Sequence, residues 1–239
     1  MSTCEKRERA LAKAEPIPAG KAADPTIIRA EISYICLRDW IDRVKDLGEL
    51  RVVKGLNWQS EIGLVSELAI REERGPCVLF EDIPGTLPGS RVLVNFFGGK
   101  RRNMTLGFSP DLPKLALTEA FRLNYLAELK QLPHRVVDDG PIFENVLLGD
   151  DIDVSKFPAP IWHQADGGRY IGTGSFNVTR DPDEGWINCG TYRVVIHDQK
   201  SVGFYISPGK HGRIQRDKYQ ARGEPMPVAI VVGGDPSVY

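Results

Sequence analysis

The spacing of apolar residues along the first half of the chain predicts three amphipathic helices. The first covers Leu37–Leu47, where apolar residues recur at helical spacing, and Gly48 suits the position just after a helix end. The second runs from Glu61 to about Glu73 with Ser60 as its N-cap, and the third covers about Asp111–Gln131. The inward residues of the second and third helices are expected to be Ile62, Val65, Leu68, Ala69, Leu112, Leu115, Ala116 and Leu126.

Short apolar runs between these helices predict a strand at Leu50–Val53 and buried strands at Cys77–Phe80 and Arg91–Phe96. Because helices alternate with strands, residues 36–132 are expected to form an N-terminal α/β domain. Residues 1–35 show little periodicity and are dominated by Lys, Ala, Glu and Pro. This composition indicates a mobile extension ahead of the first domain.

The second half, residues 133–239, has short strands and frequent turns. Small or apolar residues alternate with polar ones over 170–180, and the turn at Arg180–Gly185 predicts a hairpin. Further elements are predicted as strands at Arg193–His197, Val202–Ile206 and Val228–Val232 and a helix at Gly212–Arg222. These elements indicate an antiparallel sheet or a split barrel. No covering element follows the last strand, so we expect a domain that is truncated at its C-terminal end or needs a partner.

Composition and charge exclude several classes of protein. Hydrophobic residues make up 41% and charged residues 26% of the 239 positions, as in ordinary soluble globular proteins. The net charge of −1 argues against a nucleic-acid partner, and the short basic run Lys100–Arg102 is expected to be a solvated loop. No apolar run approaches the roughly 20 residues that span a bilayer. The N-terminus lacks the apolar region of a secretory signal. The four cysteines show no close pair or CxxC, which argues against a disulfide framework or a zinc site and favours the cytoplasm.

The residues between Gly185 and His211 carry the chemistry that the sequence suggests. Asn188 and His211 are candidate ligands of Mn²⁺ or Mg²⁺, because an amide oxygen and an imidazole suit such metals when phosphate and carboxylate oxygens complete the shell. His211 directly precedes the predicted helix, whose N-terminus favours a phosphate, and Lys210 adds a positive charge. The planar guanidinium of Arg193 suits a carboxylate.

Each of these residues also has a purely structural interpretation. Asn188 could cap a turn, His211 could be an ordinary surface or core histidine, and Arg193 could form a salt bridge on a sheet face. The remaining histidines, His134, His163 and His197, have no supporting spacing and are expected to be structural or exposed. Two further groups are not expected to bind ligands: Asp150, Asp151 and Asp153, which suit loop caps, and Gly98-Gly99-Lys100, which is an incomplete phosphate loop.

Two stretches of the second half, Asp166–Gly174 and Gly185–Arg193, together resemble the UbiD family of reversible, non-oxidative decarboxylases. The family uses prenylated FMN (prFMN) with Mn²⁺ and commonly K⁺. The resemblance extends over about residues 36–239, which would be the N-terminal part of a usual family member. It is also carried by Leu37–Ile41, Pro133–Gly149, Asp151–Asp153 and Phe157–Pro160. It implies an α+β fold in which the α/β domain is followed by an incomplete, flavin reductase-like split β-barrel.

The resemblance assigns roles to individual residues. It implies that Asn188 and His211 bind the metal that bridges the cofactor phosphate, and that the backbone carbonyl of Cys189 lies near the alkali ion. Arg193 would orient a catalytic carboxylate and the substrate carboxylate. The residues implied around the prenylated flavin are Thr173, Asn188, Thr191, Tyr192, Arg193, Lys210 and His211. The family's glutamate ligand after the strand at Val228–Val232 and its proton-cycling carboxylic acid have no counterpart in the 239 residues.

The leading hypothesis is therefore a carboxy-lyase for an aromatic or α,β-unsaturated acid. In the mechanism that the family implies, the flavin serves as the electron sink while CO₂ leaves, and a carboxylic acid returns a proton. A homo-oligomer or a second chain is expected to complete the fold. The main alternative is a non-catalytic flavin-phosphate-binding or scaffold subunit of a larger carboxylase complex. A split-barrel flavin reductase ranks last, because no dinucleotide fingerprint is present.

Overall fold

The structure is a computed structural model that describes residues 28, 30–126, 133, 135–172 and 174–239. Two compact units are present. The first contains the described residues within Met1–Leu50 and Phe96–Leu148, and the second contains Arg51–Asn95 and the described residues of Gly149–Tyr239. The proposed extension 1–35 lies largely outside the described residues, as do His134 and the end of the helix predicted over Asp111–Gln131.

The first unit is helical. Its helices are α1 (Leu37–Asp46), α3 (Gly99–Thr105) and α4 (Lys114–Phe121), and α4 continues into a π-helical turn at Arg122–Leu126. Helix α1 buries the large side chain of Trp40, whose indole N–H donates a hydrogen bond of 2.8 Å to the Thr105 hydroxyl. This bond satisfies the polar edge of a ring that otherwise contributes only apolar contact.

The basic run Lys100–Arg102 was expected to be a solvated loop, and this prediction is wrong. The run lies inside α3, and Arg101 is only 3% exposed. Its guanidinium donates to the Glu49 carboxylate at 2.6 Å. A guanidinium can be buried when it is paired with a carboxylate. Glu49, on the segment after α1, is that partner and explains why Arg101 is buried.

The second unit begins with a three-stranded sheet of order β1-β2-β3 and the helix α2. The elements are β1 (Leu50–Lys54), α2 (Glu61–Arg71), β2 (Cys77–Glu81) and β3 (Val92–Val94). Strands β2 and β3 pair antiparallel, with Leu79 opposite Leu93. Phe80 and Ile62, which are fully buried, join Val78 and Val94 in the core of this sheet. All predicted strands of this region are therefore present, with shorter bounds for the third.

The predicted inward faces of α2 and α4 are partly wrong. Leu68 is 62% exposed, and Leu115 and Leu126 are 86% and 72% exposed. On α2 the buried stripe runs through Ile62, Ser66 and Ala69 together with Gly63. A Cβ at Gly63 would lie 2.4 Å from the Trp162 carbonyl oxygen, so this glycine allows the chain to approach the helix closely. On α2, Ile62 and the small residues, and not Leu68, therefore mark the covered face.

The rest of the second unit holds a second three-stranded sheet of order β5-β4-β8, a two-stranded ribbon of β6 and β7, and the helix α5. Every pairing in them is antiparallel. The elements are β4 (Ser175–Arg180), β5 (Ile187–Gly190), β6 (Arg193–Ile196), β7 (Val202–Tyr205), α5 (His211–Ala221) and β8 (Val228–Val232). These bounds agree closely with the predicted elements, including the hairpin between β4 and β5.

The turn of that hairpin is organised by a buried carboxylate, that of Asp181. Its Oδ1 accepts the backbone N–H groups of Asp183 and Glu184, and its Oδ2 accepts the Lys218 ammonium of α5 at 2.7 Å. Burial by itself raises the pKa of Asp181, but the bonds from Lys218 and from the Glu184 N–H outweigh it and hold the pKa below its usual range. The turn and α5 are thereby tied together by an ionised group.

Residues 149–159 form short 3₁₀ turns, and the side chain of Arg169 holds the end of this stretch in place. Its guanidinium donates to the backbone carbonyls of Ser155, Phe157 and Ala159 at 2.6–2.8 Å and lies 3.9 Å above the centre of the Trp58 ring. Asp153 caps one of the short turns through the Ser155 N–H, as expected for a loop cap. One planar side chain thus takes the place of a strand pairing in this segment.

Taken together, the described residues confirm the α+β fold class. The sheets are small, open and antiparallel in each pairing described above, and they do not close into a barrel within the described residues.

Candidate cofactor and metal site

A cavity of about 510 Å³ opens where β5, β6 and the N-terminus of α5 meet. Its lining is Asn188, Cys189, Gly190, Thr191, Tyr192, Arg193, Tyr205, Ser207, Lys210 and His211. Every described residue that the sequence placed at the cofactor or metal is in that lining. Thr173, the remaining one, lies outside the described residues.

Asn188 lies on β5 and is buried, with only 8% of the residue exposed. Its amide nitrogen donates two hydrogen bonds of 3.1 Å, one to the hydroxyl of Thr179 and one to the hydroxyl of Tyr192. Thr179 is its directly opposite partner on β4. Both amide hydrogens are engaged, and among the described residues nothing donates to the Asn188 Oδ1. That oxygen is therefore the group that Asn188 can offer to a ligand in the cavity.

Tyr192 links β5 to the start of α5. Its hydroxyl also accepts the backbone N–H of Gly212, at 3.2 Å. Its ring packs so closely on Gly190 and Gly212 that a Cβ at either position would lie within 3.0 Å of it. Both glycines are thus required by the position of Tyr192, which was expected to contact the flavin and has its hydroxyl turned toward the helix end.

The start of α5 carries two of the three basic residues of the cavity lining, and Arg193 is the third. Lys210 is the N-cap and His211 the first helical residue, and both side chains are exposed. The imidazole of His211 meets the Trp186 ring edge-on, with 5.4 Å between the ring centres. The Gly212 N–H is taken by Tyr192, and among the described residues the His211 N–H has no hydrogen-bond partner. One backbone donor and the helix dipole therefore face this end of the cavity.

Arg193 begins β6 and is exposed, and it forms no ion pair with any described carboxylate. The alternative interpretation as a sheet-face salt bridge therefore finds no partner within the described residues. Arg193 also lines a second cavity, of about 410 Å³, with the aromatic residues Tyr170, Phe204 and Tyr205. Arg193 thus borders both a cavity lined mainly by polar residues and one with aromatic walls.

The donors present would suit part of a metal shell. The Asn188 Oδ1 and the His211 imidazole are hard or borderline donors of the kind that Mn²⁺ and Mg²⁺ accept, and the unpartnered oxygen of Asn188 fits such an ion. In the described part of the chain, no group of three or more His, Cys, Asp or Glu side chains could hold a metal. A bound phosphate and further carboxylates would have to complete the shell.

Sequence reasoning missed the support beneath this site. The face of β4 that is covered consists of Ser175, Asn177 and Thr179, all nearly or fully buried, and α5 contributes the fully buried Gln215. The alternation along β4 did place these three residues on one face. No signal indicated that this polar face, and not the one with Phe176 and Val178, is the buried one.

Two family models match this chain. The 3-octaprenyl-4-hydroxybenzoate carboxy-lyase N-terminal domain matches residues 41–121, and the Rift-related domain of the same family matches residues 135–239. The chain belongs to the UbiD family. The resemblance seen in the sequence motifs is thereby confirmed.

Relatives of this chain include two decarboxylases. The pyrrole-2-carboxylic acid decarboxylase of Pseudomonas aeruginosa is 31% identical over 212 residues, which is 86% of this chain and 42% of the relative. The phenolic acid decarboxylase of Sedimentibacter hydroxybenzoicus is 29% identical over 86% of this chain and 44% of its own length. The chain thus spans less than half the length of these relatives.

Solved structures of the family show the same fold. The vanillic acid decarboxylase of Sedimentibacter hydroxybenzoicus in closed form aligns with a TM-score of 0.75 and 27% identity, over 85% of this chain and 44% of that one. An evolved dimeric form of the UbiD-class enzyme HmfF from Pelotomaculum thermopropionicum, in complex with prFMN, aligns with a TM-score of 0.69 and 26% identity, over 85% and 45%.

The described residues contain no helix with the length and apolar character needed to cross a membrane.

Proposed function

We propose that this chain forms the cofactor-phosphate and metal side of a reversible, non-oxidative decarboxylase that acts on an aromatic or α,β-unsaturated carboxylic acid with prFMN and a divalent metal. The observation that carries the proposal is the meeting of Asn188, Arg193, Lys210 and His211 on one cavity. The decarboxylase relatives and the prFMN-bound structural neighbour support it.

The cofactor phosphate is proposed to lie at the N-terminus of α5. Lys210 supplies positive charge there, and the His211 N–H and the helix dipole favour an anion at this end. The Asn188 Oδ1 and the His211 imidazole would bind Mn²⁺ (or Mg²⁺), and the metal would join them to the phosphate. Thr173, Thr191 and Tyr192 are proposed to contact the flavin, and the Cys189 carbonyl to lie near a K⁺ ion.

When bound, prFMN supplies an electron sink for the charge left as CO₂ departs. The contribution of this chain is then mainly positional. Arg193 holds the substrate carboxylate, or the catalytic carboxylate beside it, through its planar fork. The aromatic residues Tyr170, Phe204 and Tyr205 line the adjoining cavity together with Arg193.

No described carboxylate lines the cavity. We propose that carboxylates complete the site in a homo-oligomer or with a second chain. The cytoplasm is the proposed location. The substrate is a small carboxylic acid, and neither nucleic acid nor a membrane is a proposed partner.

The first experiment supplies the complete protein or assembly that contains this chain with prFMN, Mn²⁺ and an aryl or acrylic acid. CO₂ release is expected, and Asn188→Ala or Arg193→Ala should lower kcat/KM by about 10²-fold or more, as when a donor to a developing charge is removed. Lys200→Ala is the matched control, because Lys200 is a surface cation paired with Asp150 that lines neither cavity. Unchanged rates in the Asn188 and Arg193 variants would contradict the assigned roles.

The alternative is a non-catalytic flavin-phosphate-binding or scaffold subunit. One observation favours it: no Asp or Glu is among the residues that line either described cavity. A subunit of this kind would bind FMN with Mn²⁺ but leave CO₂ release unaffected by Arg193→Ala in the assembly. FMN binding with Mn²⁺ and CO₂ release by the Arg193→Ala variant therefore separate the two functions.

A further inference from the structure

Four groups beneath the cavity form one continuous chain of hydrogen bonds, which we call the amide relay. It runs from the Asn188 amide through the Thr179 hydroxyl and the Gln215 side chain to the Trp186 carbonyl. The bond lengths are 3.1 Å from Asn188 Nδ2 to Thr179 Oγ1, 2.5 Å from that hydroxyl to Gln215 Oε1, and 3.4 Å from Gln215 Nε2 to Trp186 O. Thr179 and Gln215 are 2% and 0% exposed, so water does not compete for these bonds.

The direction of the relay is determined at its far end. A backbone carbonyl can only accept a hydrogen bond, so Trp186 requires the NH₂ group of Gln215 to face it. The Gln215 oxygen then faces Thr179, and the Thr179 hydroxyl must donate to it. The Thr179 hydroxyl uses its only hydrogen in the bond to Gln215, so it can only accept a hydrogen bond from Asn188.

The consequence reaches the cavity at the other end. Because the Thr179 oxygen accepts from Asn188, the Asn188 side chain must present its NH₂ group inward. Its second amide hydrogen goes to the Tyr192 hydroxyl. A flipped amide would place the Asn188 oxygen against an oxygen that has no proton to offer. The Oδ1 atom is therefore held toward the cavity.

Helix α5 controls both of the proposed metal ligands through this arrangement. It carries His211 itself, and one turn further along the same helix lies Gln215, which orients Asn188 through Thr179. The Tyr192 hydroxyl adds a second tie, because it accepts from both the Gly212 N–H at the helix start and the Asn188 amide.

We propose that Thr179 and Gln215 are positioning residues that fix the Asn188 carbonyl oxygen toward the cavity and so set the affinity of the site for a divalent cation. This inference rests on the proposed function, since it takes Asn188 to be a metal ligand. Partners that orient a metal ligand are worth about 10–100-fold in metal affinity when they are removed.

The test compares Thr179→Val with Thr179→Ser. Valine keeps the shape of threonine but has no oxygen to accept from Asn188, whereas serine retains the hydroxyl. Mn²⁺ is titrated into the protein at saturating FMN, with free Mn²⁺ read from its EPR signal. We expect Thr179→Val to weaken Mn²⁺ binding by about 10–100-fold and Thr179→Ser to stay within about threefold of the unmodified chain. Equal dissociation constants for the two variants would overturn the proposal.

A second pair of variants removes the far end of the relay. Gln215→Leu deletes both of its bonds, and Gln220→Leu makes the same substitution at an exposed position of the same helix. Weaker Mn²⁺ binding in Gln215→Leu alone supports the relay. Equal weakening in both variants would indicate a general effect on α5 and would overturn the role of Gln215.

The metal-free protein provides a readout that is separate from the proposed function. The side-chain NH₂ signals of Asn188, assigned by their loss in Asn188→Asp, should exchange slowly with solvent in the unmodified chain and in Thr179→Ser, and fast in Thr179→Val. Fast exchange in the unmodified chain would overturn the relay. Slow exchange without any Mn²⁺ binding would instead overturn the metal site of the proposed function and support the relay as a purely structural device.

Discussion

The second unit contains two three-stranded sheets of similar size that bury opposite kinds of residue. In the β1-β2-β3 sheet the covered face is apolar, with Phe80 and Val78 against Ile62 of α2. In the β5-β4-β8 sheet the covered face of β4 is polar, with Asn177 and Thr179 beneath α5 and its Gln215. Both sheets have short strands and a helix packed on them, and the side-chain chemistry of their covered faces differs.

The apolar face mainly stabilises its sheet, whereas the polar face mainly orients side chains for function. Buried apolar area stabilises the first sheet without any need for direction. A buried polar face is stable only where its donors and acceptors are paired, and the pairing fixes orientation. The cost is visible at two atoms, since Ser175 Oγ and Asn177 Oδ1 are buried without a hydrogen-bond partner among the described residues. The polar sheet thus leaves some buried polar atoms unpaired, and its paired groups can orient a ligand.

The largest expected effect is in the apolar sheet. Ile62→Ala should lower the free energy of unfolding by about 2–5 kcal/mol, because Ile62 is fully buried and its removal leaves a cavity. Urea unfolding followed by tryptophan fluorescence measures it, since Trp58 and Trp162 pack against this core. Ile70→Ala, the same change at a 59% exposed position of α2, is the matched control and should cost much less. Similar losses at both positions would contradict the assignment of the core face.

A smaller effect is expected in the polar sheet, and it depends on pH. The depressed pKa of Asp181 means that its stabilising contribution is present above the usual carboxyl pKa of about 3.9 and is lost as pH falls through the lower folded value. Asp181→Asn keeps the size of the side chain but removes the charge that binds Lys218. It should therefore be destabilising at neutral pH.

The measurement is the free energy of unfolding of both proteins between about pH 7 and pH 2, with the difference between them taken at each pH. That difference should shrink as the pH falls below about 4. A constant difference over this range would show that the Asp181 charge is not involved. Ile62→Ala provides the contrast, because its loss should not vary with pH.

The smallest expected effect has the opposite sign. Ser175→Ala removes a buried hydroxyl that has no partner in the described part of the chain, so the free energy of unfolding should rise by about 1 kcal/mol. Ser66→Ala is the control on α2: its hydroxyl donates to the Ile62 carbonyl at 2.6 Å, and the lost bond is offset by the better helix propensity of alanine. It should be nearly neutral. A loss of stability in Ser175→Ala would mean that the hydroxyl has a partner.

The same comparison explains how much of the fold the sequence could predict. The strands of both sheets and the helices α1, α2 and α5 were predicted within a few residues, because their apolar periodicity and turn residues are local signals. The covered face of α2 was predicted only in part, since it depends on Gly63 lying against Trp162, a contact between distant residues. Arg101 was misjudged for the same reason, as its partner Glu49 lies far away in the sequence.

The candidate site shows the same limit. Asn188, Arg193 and His211 could be selected because their residue types suit a metal, a carboxylate and a phosphate. Thr179 and Gln215 could not, because nothing in a buried threonine or glutamine reveals which way its hydrogen bonds run. That information exists only once the Trp186 carbonyl is placed beside Gln215.

The hydrogen bonds from Arg169 to residues 155–159 determine which substitutions this part of the chain can accept. Arg169 binds only backbone carbonyls there, and every residue type offers the same carbonyl. Side chains on the receiving segment can therefore vary with little effect on this contact. On the donating side one guanidinium makes all three of these bonds, and a lysine could not reproduce its planar fork or its stacking on Trp58.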